Sequence, residues 1–217
     1  MSLYTISPHA QHSPGWYADR LGKLTGSVAD QIYTGGKGKT RAALRARLVL
    51  ERMTGESGKA PFETEAMRWG TDQEPFSRMA FERETGFNVT QAGFIYRNRL
   101  ATGCSVDGLL EEGGTLGIWE SKSPDSETHY GWVLAGVLPE EHRHQVLHNM
   151  WVTNAQFGYF TSYDPRMPGN LKLFVVRVER DQDEILSHEA AVMQFLLETD
   201  QEEKLMRLKA SEPLVFH

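Results

Sequence analysis

Apolar positions in this chain recur with two periods, and the elements follow from where each period holds. The segment GCSVDGLLEEGGTLGIWESKSP, Gly103 to Pro124, carries β-favouring residues on both sides of a Gly113-Gly114 reversal, with an apolar run from Leu116 to Trp119. This predicts a strand, a tight turn and a second strand. Side chains two apart on a strand share a face, so Glu120 and Lys122 project together, with Asp107 on the other arm close enough to meet them. VTQAGFIYR predicts a strand ahead of this hairpin. AQFGYFTSY and the more continuously apolar LKLFVVRVER predict two strands after it, separated by the loop YDPRMPGN.

Helical spacing governs most of the remainder. After a polar lead-in from Met1 to Pro14, a short helix carries Trp16 and Arg20, and a turn runs through Gly22 to Gly26. Ser27 then stands as an N-cap before VADQIY, and such a helix start is an anion site with Arg20 and Lys23 close by in sequence. In the basic stretch from Lys37 to Lys59, the run RAALRARLVLERM puts Arg41, Arg45 and Arg52 on roughly one face, either solvated or available to a phosphate backbone. Glu63 to Thr85 is strongly helical and ends at Gly86, with Trp69, Phe76 and Ala80 on one face. Pro75 predicts a kink or a helix start there and leaves Glu74 at a special backbone position. Gly136 to Leu138 reads as loop, and Pro139 opens the helix PEEHRHQVLHNMWVTNA. Val146, Leu147, Met150 and Trp151 form its apolar face, with Gln145 nearly opposite. From Asp181 a long acidic helix with Phe195 and Leu196 among its apolar positions packs on the outside.

Composition narrows the function by exclusion. At 217 residues, 40% hydrophobic and 24% charged, the chain suits one domain, residues 1–217, with a core over about 15–180 and the terminal helix over about 182–210. A net charge of −6 supplies no global attraction for nucleic acid, so polyanion binding needs a local basic patch or bound metal. Cys104, the single cysteine, excludes an internal disulfide and a four-cysteine cluster, and a reducing cytoplasm fits. No signal-peptide core or membrane-spanning run is apparent. No GxxxxGK[ST] loop or GxSxG elbow is present. His142, His144 and His148 raise zinc, but the metalloprotease glutamate is missing.

The hairpin therefore carries the chemistry. Two carboxylates and an ammonium gathered at the end of a buried strand are costly unless something uses them. A hard divalent cation on the acids, with the lysine beside a metal-bound water, would use all three.

The ordered set WGTDQEP, CSVDGL, GIWESKSP and HQVLHNMW, with the later loop FTSYDPRM, resembles the PD-(D/E)xK nuclease superfamily. More closely it is similar to the phage lambda-type 5′→3′ alkaline exonuclease (viral recombinase) family, from about Gly15 to Arg180. The resemblance implies an α/β fold, a central mixed β-sheet flanked by helices with a restriction-endonuclease-like core. It implies Asp107 and Glu120 as ligands of Mg²⁺ or Mn²⁺, Ser121 as a main-chain ligand, and Lys122 beside the attacking water. Glu74 falls on the upstream acid near a second metal, Gln145 on the helical glutamine, and Arg20 and Ser27 on the 5′-phosphate cradle. SVDG stands where the superfamily name implies a proline before the aspartate, a departure that bears on the turn preceding Asp107. The resemblance further implies double-stranded DNA as substrate, a homotrimeric ring, a single-strand annealing protein as partner, and a bacterial cytoplasm as host. An endonuclease of the same superfamily and a non-catalytic DNA-binding protein are the rival readings.

Overall fold

The computed structural model describes residues 2–33, 39–58 and 64–212. In chain order the elements are β1 (Tyr4–Ile6), α1 (Pro14–Arg20), β2 (Leu24–Thr25), a 3-10 helix (Gly26–Tyr33), α2 (Lys39–Thr54) and α3 (Glu65–Thr85). There follow β3 (Ile95–Arg97), β4 (Thr102–Cys104), β5 (Gly108–Glu112) and β6 (Thr115–Lys122). The chain ends with α4 (Ser126–Ala135), α5 (Glu140–Thr153), β7 (Phe157–Tyr163), a 3-10 turn (Gly169–Lys172), β8 (Leu173–Glu179) and α6 (Gln182–Ser211).

Among the described residues the strands form two four-stranded sheets, ordered β1-β3-β4-β2 and β5-β6-β7-β8, where a single central sheet was expected. The second is the expected mixed sheet: β6 and β7 run parallel, and β5 and β8 flank them antiparallel. The hairpin turns on Gly113 (φ 58) and Gly114 (φ 80), and consecutive positive φ values are what a two-residue hairpin loop between Glu112 and Thr115 demands. Along β6, Ile118 joins the core cluster under α5, and Trp119 joins a second cluster with Phe81 of α3. The sheet is thus covered by α5 on one face and α3 on the other.

Several expected elements differ in extent. Of VTQAGFIYR only Ile95–Arg97 forms a strand, with Thr90 making one isolated bridge to Leu109. α3 runs through Pro75 without interruption, and its buried residues are Ser77 and Phe81. Phe76, placed on one face with Trp69 and Ala80, is 53% exposed, because the face that α3 turns to the sheet is the one carrying Ser77 and Phe81. α4 was not anticipated; its residues SETHYGWVLA carry no apolar stripe. α5 is buried on every side from Val146 to Thr153, wedged against both sheets, the first 3-10 helix and α6. Ser27 lies inside the 3-10 helix instead of capping one, since β2 pairs Thr25 with Gly103 and the helix begins at Gly26. Lys37, Lys59 and Glu63 lie outside the described residues. No helix among the described residues is long and apolar enough to cross a membrane.

Candidate active site

The segment Ser105–Asp107 carries the chain from β4 in the first sheet to β5 in the second, and a cavity of about 580 Å³ opens at that crossing. β5 pairs with β6 only as far as Gly108 opposite Trp119, so the last turn of pleat on β6 has Asp107 for a neighbour. There Ser121 N–H donates to Asp107 Oδ2 at 2.7 Å. Period-two alternation then sends Glu120 and Lys122 into the cavity, and Ser121 Oγ meets Ser77 Oγ of α3 at 2.7 Å on the opposite face.

Glu120 is fully enclosed, and both of its oxygens are held. Lys122 Nζ and Gln145 Nε2 (2.5 Å) donate to Oε1, and Asn149 Nδ2 donates to Oε2 at 2.9 Å. Burial raises the pKa of Glu120, and the nearby Asp107 adds to the rise against the pull of Lys122. Asp107 is likewise raised by burial, only partly offset by Lys122 and the Ser121 N–H. Burial opposes the charge on Lys122, but Glu120 and Asp107 outweigh it and hold the ammonium above its ordinary range. Glu74 of α3 reaches the same cavity, pushed up to about 7 by burial and then by Asp107.

The other end of the cavity is cationic and hydroxylated. Arg20, in the last turn of α1, donates to Ser105 Oγ at 2.6 Å and lies 4.2 Å over the Trp16 ring. Burial lowers its pKa to about 10, which leaves it a cation at neutral pH. The hydroxyls of Thr25 and Ser27 stand 3.4 Å apart on the same wall. Gly26 between them packs so tightly on α5 that a Cβ there would fall 2.2 Å from Asn149 Oδ1.

All eight expected residues, Arg20, Ser27, Glu74, Asp107, Glu120, Ser121, Lys122 and Gln145, therefore line one cavity. Lys23, expected near the anion site, instead donates to Asp19 O at 2.7 Å and lies elsewhere. Asn149 and Ser105 were missed: an asparagine inside a buried helix and a serine in a short link leave no periodic trace.

The arginine patch on α2 faces the protein's own acids. Arg41 pairs with Glu198 (2.8 Å), Arg45 with Glu198 and Glu202, and Arg52 with Asp200 (2.7 Å) and Glu203 (3.3 Å) of α6. The histidines of α5 also disperse: His144 stacks on Tyr33, and His148 Nδ1 lies 3.0 Å from His188 Nε2. Among the described residues no group of three His, Cys, Asp or Glu side chains gathers to hold a metal ion, the carboxylates included. Magnesium commonly takes only one or two carboxylates and completes its shell with water and substrate phosphate. One buried and one half-buried acid, both raised in pKa by desolvation and offering only oxygen donors, fit such a hard cation.

A mixed sheet between helices, with acids and a lysine at the end of the β5–β6 hairpin, is the arrangement of the PD-(D/E)xK fold. Residues 15–156 match the model of the YqaJ-like viral recombinase domain, and the chain belongs to that family. It is similar to the alkaline exonuclease LHK-Exo from Laribacter hongkongensis, with 34% identity, a TM-score of 0.83, and coverage of 92% of this chain and 98% of that one. The same values hold for LHK-Exo in complex with dAMP. A phage-related exonuclease from Haemophilus somnus 129PT shares the fold at 13% identity and TM-score 0.63, over 85% of this chain and 96% of that one. No curated protein matches the sequence.

Proposed function

We propose that the protein is a metal-dependent exonuclease that degrades one strand of double-stranded DNA from a 5′-phosphorylated end and leaves 3′ single-stranded tails. The observation that carries this reading is that one cavity combines a half-buried guanidinium flanked by hydroxyls with two acids and a lysine. The first group suits a terminal phosphate dianion, and the second suits hydrolysis of the next phosphodiester.

In this reading Asp107, Glu120 and the main chain at Ser121 hold Mg²⁺, with Mn²⁺ as a substitute and Glu74 serving a second ion. When bound, the metal lowers the pKa of coordinated water and offsets charge on the phosphoryl oxygens. Lys122 Nζ, kept charged by its acid neighbours, donates to the attacking water and aims its lone pair at phosphorus. Gln145 and Asn149 fix the two oxygens of Glu120, so little reorganisation accompanies the reaction. Arg20, Ser27, Thr25 and Ser105 anchor the end of the strand and set which phosphodiester reaches the acids. Residues 1–217 act as one nuclease domain, a homotrimeric ring encircles the duplex, and a single-strand annealing protein receives the tails in the bacterial cytoplasm. These last features rest on family resemblance.

The test is a time course on linear duplex labelled at one 5′ end, run beside closed circular duplex, with Mg²⁺ or with EDTA. Release of labelled mononucleotide from the linear substrate alone, abolished by EDTA, is the expected result. Linearisation of the circle would establish the endonuclease instead, and cleavage unaffected by EDTA would remove the metal from the account.

A further inference from the structure

α5 lays three side chains along the cavity in order. Asn149 abuts Gly26 at the phosphate-anchoring end, Gln145 one turn earlier holds Glu120, and His142 lies a further turn toward the helix start. At 1.5 Å per residue the span from Asn149 to His142 is about 10 Å. In the exonuclease reading, on which this inference rests, the departing nucleotide lies between the anchor and the acids. The strand that stays behind must then continue toward His142.

That end of the cavity has a different chemistry. The His142 ring stacks on Phe160 at 5.2 Å and 28°, and Trp132 of α4 meets it edge-on at 5.3 Å and 82°. Trp132 is fixed in turn by Phe160 (5.6 Å, 74°) and by its Nε1–H donated to Glu141 Oε1 at 3.2 Å. Both rings are half-buried, and both line the cavity. Burial, and then the nearby Lys122, hold the His142 pKa near 4, so the imidazole is neutral at working pH. A rigid, uncharged aromatic wall next to a polar centre suits the π-face of a nucleobase of any identity.

We propose that Trp132 and His142 form the seat for the first nucleotide of the retained strand, with its base packed against the two rings while the phosphodiester before it lies at the acids. This seat binds substrate and does not act on the reacting atoms.

The test uses 5′-phosphorylated duplexes carrying an abasic site at the first or the second position of the digested strand, with single-turnover release of the first nucleotide as the readout. In the wild type, the second-position abasic site is expected to weaken half-saturation by about 5- to 10-fold, in line with loss of one base–aromatic stack. Trp132→Leu and His142→Ala should each shrink that penalty while leaving the first-position penalty as it was. No second-position penalty in the wild type overturns the seat, and this arm needs no variant to fold. A penalty equal in wild type and variants also overturns it and returns both rings to a packing role. Failure of the wild type to release nucleotide from the unmodified duplex would instead remove the exonuclease reading, and the seat with it.

Discussion

Glu120 accepts hydrogen bonds from an ammonium and two amides while fully buried, and each donor comes from a different turn or strand position. An acid held this way keeps one orientation, which a site organised around a hard cation needs. Lys122→Ala removes the donor that the proposed mechanism sets beside the attacking water, and it leaves Glu120 to its two amide partners. Cleavage is expected to fall by at least about 10²-fold, with duplex binding in Ca²⁺ largely retained. Near-normal digestion by this variant would exclude Lys122 from the chemistry. At the opposite end of the cavity, Arg20→Ala should reduce cleavage of 5′-phosphorylated ends by about 10-fold or more beyond its effect on 5′-hydroxyl ends. An equal loss on both substrates would show that Arg20 acts through Trp16 and Ser105 packing alone.

Between elements, the first 3-10 helix fits closely on α5 at Gly26. Gly26→Ala would drive a methyl group into Asn149 Oδ1, and Asn149 cannot yield without releasing Glu120. Activity is expected to drop by about 10- to 100-fold, as for other groups that orient a metal-site carboxylate. Combining it with Asn149→Ala should cost no more than Asn149→Ala alone, and additive losses would refute the coupling. The hairpin was legible because two glycines and a period of two leave a pattern within twenty residues, and Asp107, Glu120 and Lys122 follow from it. Gln145 could be placed opposite the apolar face of α5, but its role was visible only through the family motif, since position on a helix does not say that a cleft lies there. α4 and the exposed position of Phe76 were illegible for a related reason: which side of a helix is covered depends on partners distant in sequence. The three arginines of α2 were read correctly as sharing a face, but the acids that meet them lie some 150 positions later, from Glu198 to Glu203.

Across the whole molecule, those ion pairs mean that part of the acidity is spent internally, on joining α6 to α2. Arg45 and its partners are partly exposed, so Arg45→Ala should lower stability by only about 0.5–1 kcal/mol. Its DNA affinity should stay within about twofold, and the salt dependence of binding should keep its slope; a slope reduced by about one would make Arg45 a phosphate contact. A second long-range link is the buried chain from Tyr33 Oη to His188 Nδ1 (2.5 Å), from His188 Nε2 to His148 Nδ1 (3.0 Å), and from His148 Nε2 to the Gly103 carbonyl (3.2 Å). The carbonyl can only accept, so His148 carries its proton on Nε2, His188 donates to His148, and Tyr33 donates to His188. Burial holds His148 near pH 4 and His188 lower still, against the ordinary 6.5. Below pH 6.5 the unfolded chain therefore takes up protons that the folded protein refuses. This contribution is complete above pH 6.5 and is lost as pH falls. By pH 5 the loss amounts to on the order of 2 kcal/mol per ring. The raised carboxylates of the site pull the other way, so the measurement is the difference in melting temperature between wild type and His188→Gln from pH 7.5 to 5. A smaller acid-induced decline in the variant is expected, and parallel profiles would remove the histidines as its source.

The clasp between α6 and α2 also bears on what a shortened chain would become. Were translation or proteolysis to stop before Gln182, Arg41, Arg45 and Arg52 would lose their counter-ions, and the core would lose the side chains of Phe195 and Leu196. Such a fragment would have greasy and cationic surfaces side by side, and would adhere to any polyanion it met. The terminal helix therefore keeps those apolar and cationic surfaces covered, a contribution separate from the proposed hydrolysis.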